Sequence, residues 1–105
     1  MNQARFRPDI HVRGWMTDPT KADLKGTEAL VYAVIHQMTS APNGEGCYYA
    51  GLAVLSGWVN DDRSRVRKIL ATLTKKGYII TRRRRVNKVE RTTYAADLEL
   101  AERWK

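Results

Sequence analysis

The sequence predicts an α+β fold in which three helices are followed by a basic β-hairpin, and three observations lead to it. Apolar residues recur at helical spacing in two stretches, Leu30 to Met38 and Val66 to Leu73, with a shorter run at Leu52, Leu55 and Trp58 between them. After Gly77 the pattern changes to the β-branched and aromatic residues that suit strands, interrupted by a polar pair at Asn87 and Lys88. The 105-residue chain carries a net charge of +8, and residues 63–91 hold all of the excess, since Glu90 is the only acid among their many Lys and Arg.

Each element has its own warrant. Residues 1–9 read as an N-terminal arm, and "IHVRGWM" from Ile10 to Met16 as a short N-terminal strand, followed by a turn-prone stretch punctuated by Pro19 and Gly26. The first helix has Thr27 as its expected N-cap and Glu28 in its first turn. Leu30, Val31, Val34, Ile35 and Met38 make its inward stripe, and His36 projects away from that stripe toward solvent. The loop "SAPNGEG" ends it, and "CYYAG" suits a brief extended segment. A short helix of about two turns follows, expected to close at Gly57 and Asn60.

Asp61 and Asp62 are both competent caps for the next helix, whose core face is Val66, Ile69, Leu70 and Leu73 and whose stop is Gly77. Two strands then pair around Asn87 and Lys88, a register that sets Val86 opposite Val89 and Arg85 opposite Glu90. One domain over residues 10–97 is expected, with 98–105 a short C-terminal tail or helical turn directing Leu98, Ala101 and Trp104 inward.

Composition narrows the function. With 43% hydrophobic and 29% charged residues the chain is that of a globular protein. No apolar run approaches the roughly 18 to 20 residues that span a bilayer, and the N-terminus has no apolar signal core, so a cytoplasmic location is expected. Cys47 is the sole cysteine, and neither it nor His11 and His36 fall at metal-ligand spacing, so no metal and no cofactor are expected. The inventory does not suit an enzyme. It has no glycine-rich phosphate loop, no acid pair in an apolar setting and no nucleophile placed by a histidine motif, and no small-molecule substrate is evident.

Helix, short helix, tight turn, longer helix, basic hairpin is the order of a winged helix-turn-helix, in which the longer helix enters the major groove of DNA and the hairpin reaches neighbouring phosphates or the minor groove. The core stripe of the longer helix leaves Ser64, Arg67, Lys68, Ala71 and Lys75 on the other side, a basic face with a small residue at its centre. Arg67 and Lys68 have the donors that guanine accepts, and Ala71 lets the helix approach base edges. Arg63 and Arg65 are placed to clasp backbone oxygens. In the hairpin, Arg82, Arg83, Arg84, Arg85, Lys88 and Arg91 are the candidate contacts, with the distal Arg84, Lys88 and Arg91 expected to matter more than Arg82 and Arg83. Double-stranded DNA is the expected partner, and a homodimer is the form that would suit a palindromic site. Two alternatives stay open on the residues alone. One is an RNA-binding module using Tyr48, Tyr49 and Tyr94 as stacking surfaces; the other is docking of an acidic protein.

The residues also carry a resemblance. Gly14-Trp15-Met16, Leu24-Lys25-Gly26 with Glu28 and Tyr32-Ala33, Trp58, and Leu73 with Lys76-Gly77-Tyr78-Ile79 together resemble the winged-helix N-terminal domains of phage and plasmid replication initiators, the replisome-organiser and DnaD-like group, and small phage helix-turn-helix proteins. The likeness covers roughly residues 10 to 97 and implies DNA binding in replication initiation or transcription regulation. Arg65 stands where such helices usually have Ser or Thr, and Asn60 where the turn often has Gly. In those initiators a C-terminal region commonly assembles the protein or recruits a helicase. No such domain follows residue 97 here, so the resemblance implies either a stand-alone regulator or the DNA-reading part of something longer.

Overall fold

The computed structural model describes residues 10–41 and 46–105. The expected N-terminal arm, and residues 42–45 of the loop after the first helix, lie outside the described residues. The chain forms helices α1 (Thr27–Ser40), α2 (Leu52–Val59) and α3 (Arg63–Lys75), then strands β1 (Ile79–Val86) and β2 (Val89–Ala96), then helix α4 (Leu98–Trp104). It is an α+β fold whose two strands pair antiparallel.

The short strand expected at the start is absent. Ile10 to Arg13 form no ladder, and the chain makes a single 3-10 turn over Gly14–Met16. A strand needs a partner edge, and the outer edge of β2 is engaged elsewhere. Tyr48 bonds Tyr94 in both directions, its N–H donating at 2.7 Å and its carbonyl accepting at 3.0 Å, so the brief extended segment expected in "CYYAG" takes that place.

Helix α1 is the centre of the molecule. Ala29, Val31, Tyr32, Ala33, Val34 and Ile35 are all buried, wider than the one stripe expected, and a helix that is apolar nearly all round must be enclosed. Val31, Val34 and Ile35 join Leu55, Val66, Leu70 and Leu73 in the aliphatic core, while Tyr32 belongs to an aromatic cluster. Trp15, Tyr32, Tyr78 and Trp104 meet there with centroids 4.9 to 6.3 Å apart, the closest being Tyr78 and Trp104 edge to face. Burial pushes the Tyr32 phenol well above its ordinary range.

That cluster explains α4 and corrects two expectations. Asp97 caps α4 by accepting from the Leu100 N–H at 3.1 Å, and Ala101 and Trp104 turn inward as expected, but Leu98 is exposed and Leu100 packs on the core in its place. His36 is not the solvated residue expected. It is half-buried, edge-on to Trp15 at 5.6 Å, because the 3-10 turn brings Trp15 over the side of α1 opposite the aliphatic core.

Burial, and then Lys105 and Arg13, hold His36 below the usual histidine value of 6.5, with Glu102 opposing them weakly. The unfolded chain therefore takes up a proton as pH falls through that value while the folded one does not. Stability should fall as pH is lowered from about 7 to about 5, a range in which ordinary carboxylates stay ionised, and the fall should level off once folded His36 protonates. Thermal unfolding across that range checks this, and His36→Phe should flatten the profile.

Candidate nucleic-acid interface

The approach to α3 is set by a non-glycine turn. Asn60 ends α2 in the left-handed region, φ 57 and ψ 51, which asparagine tolerates better than most residues. Its N–H and that of Asp61 both return to the Ser56 carbonyl, so the turn closes without the glycine often found there. Gly57 does not close α2, since it lies inside the helix.

Asp61 is the tie at this corner. Its carboxylate accepts the Asp62 N–H at 2.7 Å and the Thr27 hydroxyl at 2.8 Å, and it pairs with Arg65 at 3.4 Å. The first two bonds hold its carboxyl below the usual carboxylate range. Thr27 and Asp62 thus depart from their expected roles. Gly26 occupies the N-cap of α1 while Thr27 reaches across to the α2–α3 turn, and Asp62 sits at the N-cap of α3 with no side-chain cap bond. One carboxylate fastens the starts of α1 and α3 together.

Val66, Leu70 and Leu73 are buried and Ile69 is half-buried, which turns Arg63, Ser64, Arg65, Arg67, Lys68, Ala71 and Lys75 to the exposed side of α3. Gly77, at φ 84, ends the helix. The Tyr78 N–H bonds the Leu73 carbonyl at 3.0 Å and the Gly77 N–H bonds Thr74 at 3.1 Å, the paired bonds of a Schellman stop. The chain leaves this stop directly into β1.

The hairpin has the expected register, with Val86 opposite Val89 and Arg85 opposite Glu90. Asn87 and Lys88, at φ 52 and 67, form a two-residue turn with both residues left-handed. Residues paired across the ladder share a face. Thr81, Arg83 and Arg85 therefore lie on one face with Glu90, Thr92 and Tyr94, and Arg82 and Arg84 lie on the other with Arg91 and Thr93. The first of these is the α3 side, since the Thr81 and Thr74 hydroxyls are 2.7 Å apart.

The four arginines are consequently unlike one another. Glu90 pairs with Arg83, at 3.1 Å, rather than with Arg85 directly opposite it, and Arg83 also donates to the Thr92 hydroxyl at 3.2 Å. Arg84 sends its guanidinium to the buried Cys47 thiol at 3.3 Å, which ties the hairpin to the loop before α2 instead of extending from the tip as expected. Among the described residues, no carboxylate pairs with Arg63, Arg67, Lys68, Lys75, Arg82, Arg85, Lys88 or Arg91. Arg84 and Arg91 sit directly opposite each other, a like-charge pair that costs the hairpin a few tenths of a kcal/mol, up to about 1.

Between α3 and the hairpin runs a groove lined by Arg67, Leu70, Ala71, Thr74, Lys75, Thr81 and Tyr94. Tyr94 lies in a strand as expected, and it also lines this groove, a place that the sequence does not predict for it. Tyr48, a stacking surface with Tyr94 in the RNA-binding alternative, is buried and its hydroxyl donates to the Gly51 carbonyl at 2.6 Å, so it offers no ring face to a base. Among the described residues no cluster of His, Cys, Asp or Glu could hold a metal, and no helix is long and apolar enough to cross a membrane.

Lys88 holds a left-handed position in which a side chain is strained by roughly 1 kcal/mol. Lys88→Gly should accordingly raise stability by about 0.5 to 1 kcal/mol in denaturant unfolding, although it removes a surface cation. Comparison of the chain with protein-family models, with curated proteins and with solved structures finds no match.

Proposed function

We propose that this chain binds duplex DNA as a winged helix-turn-helix, with α3 in the major groove and the β1–β2 hairpin as the wing, in replication initiation or transcription regulation of the phage or plasmid type. The observation that carries the reading is the junction of two surfaces that stay net basic after Asp61 pairs with Arg65 and Glu90 with Arg83. The exposed side of α3 and the α3-facing side of the hairpin border one groove, with Glu90 the only acid in residues 63–91. Such a surface repels itself until a polyanion covers it. Helix α3 is about 20 Å long, enough to lie in a major groove about 12 Å wide with its basic side against the base edges.

Within this reading the residues divide by task. Ser64, Lys68 and Ala71 lie at the middle of the exposed side of α3 and meet base edges, while Arg63 and Arg65 at its start position the helix on phosphates. In the wing, Arg85 and Lys88 are the principal contacts. Arg83 is held by Glu90, and Arg84 is committed to Cys47. Arg82 and Arg91, on the far side of the hairpin, add to the field rather than to the contact.

If five or six phosphates are neutralised, log K for a duplex should fall with log salt at a slope near −5. A slope near zero in a salt titration would remove the reading. Lys68→Ala should relax the preference among sequences and cost about 1 to 3 kcal/mol on the best site, whereas Arg85→Ala should weaken all duplexes alike. Selection from random duplexes, repeated with each variant, separates the two effects. A changed base preference from Arg85→Ala alone would reverse the assignment of helix and wing.

A further inference from the structure

We propose that Tyr94 is a phosphate ligand, and that its hydroxyl and the Arg67 guanidinium close on one backbone phosphate of bound duplex DNA whose deoxyribose lies on the apolar floor of the α3–hairpin groove. The inference rests on the duplex-binding reading. With α3 in one groove of the duplex and the hairpin reaching the next, the sugar-phosphate backbone that separates the two grooves of DNA has to pass between them. The groove between α3 and β2 is the place it passes. Leu70, Ala71 and the Tyr94 ring give that groove an apolar floor suited to a sugar face, and Arg67 and Lys75 stand at its rim.

The hydroxyls of the groove differ in what they have left to give. Thr74 donates its proton to the Leu70 carbonyl at 2.8 Å, so the 2.7 Å contact between Thr74 and Thr81 requires Thr81 to be the donor. Both threonines then present only lone pairs, which a phosphate oxygen does not accept. Tyr94 is different: among the described residues its hydroxyl makes no hydrogen bond, and its neighbour in the groove is Arg67. Burial holds the phenol above its ordinary range, with Arg67 pulling the other way, so at neutral pH the group remains an O–H donor.

The backbone that carries the ring is anchored on both sides of the strand. Tyr94 spends both its backbone N–H and its carbonyl on Tyr48, and it faces Thr81 across the ladder in a non-hydrogen-bonded pair, the kind in which side chains approach most closely. With the main chain already ordered, binding has only the side chain of this donor left to order. Arg67, expected from sequence to read guanine, becomes the partner of Tyr94 on the backbone, and the base-reading role falls to Lys68.

The test is binding of a mixed-sequence duplex of about 20 base pairs at one salt concentration by the wild type, Tyr94→Phe, Arg67→Gln and the double variant. Tyr94→Phe keeps the ring and should unfold at the wild-type temperature, yet bind roughly tenfold more weakly, the loss expected for one hydrogen bond to a charged group. Its salt slope should be unchanged, because no charge is removed, whereas that of Arg67→Gln should be shallower by about 1. Two groups on one phosphate are not independent, so the double variant should lose less than the product of the single losses. The proposal is overturned if Tyr94→Phe binds as the wild type does, or if the two losses multiply. A wild type that fails to bind the duplex at all would instead take down the duplex-binding reading itself.

Discussion

The packing of α3 on α1 through Val66, Leu70 and Leu73 is the contact on which the remaining surface depends. Burying each of these side chains is worth roughly 1.5 to 3 kcal/mol, and their spacing allows only one rotation of the helix about its axis. Once that rotation is set, every cation of α3 is exposed, and none could turn inward without an unpaired charge being buried. The basic surface is thus held in place by aliphatic side chains that never touch it.

Two smaller devices convert that rotation into a surface of defined shape. Asp61 fixes the entry, since one carboxylate holds the Thr27 hydroxyl, the Asp62 N–H and the Arg65 guanidinium, and so locks α3 to the start of α1. Gly77 and the Thr74–Thr81 hydroxyl pair fix the exit, so that the hairpin leaves α3 at one angle and its near face stays beside Arg67 and Ala71. Exposed ion pairs contribute little energy by themselves. Here their effect is on direction, and under the proposed function direction decides which groups reach DNA together.

The arginine run shows how far alternation alone can be taken. Strand geometry divides Arg82 to Arg85 between two faces whatever they touch, and the register followed from the two-residue turn. What each arginine does then depends on neighbours distant in sequence. Cys47, 37 residues away, takes Arg84, and a diagonal across the ladder gives Glu90 to Arg83 rather than to Arg85. Four identical side chains become a tether, an ion-paired strut and two exposed cations.

The sequence by itself determined what local rules govern. Apolar spacing placed the helices, Asn87 and Lys88 placed the hairpin turn, Gly77 placed the stop of α3, and the clustering of Lys and Arg marked the charged segment. These depend on backbone sterics and on the period of side chains along one element, both readable from a few adjacent residues. Only the tertiary structure decided the rest. Trp15 left an expected strand for an aromatic cluster with Tyr32, Tyr78 and Trp104, His36 was covered because Trp15 lies over it, and Tyr94 entered the groove because α3 runs beside its face of the sheet. Each of these outcomes needed a partner from another element, and the pairing of aromatic rings or the walls of a groove leave no periodic trace along the chain.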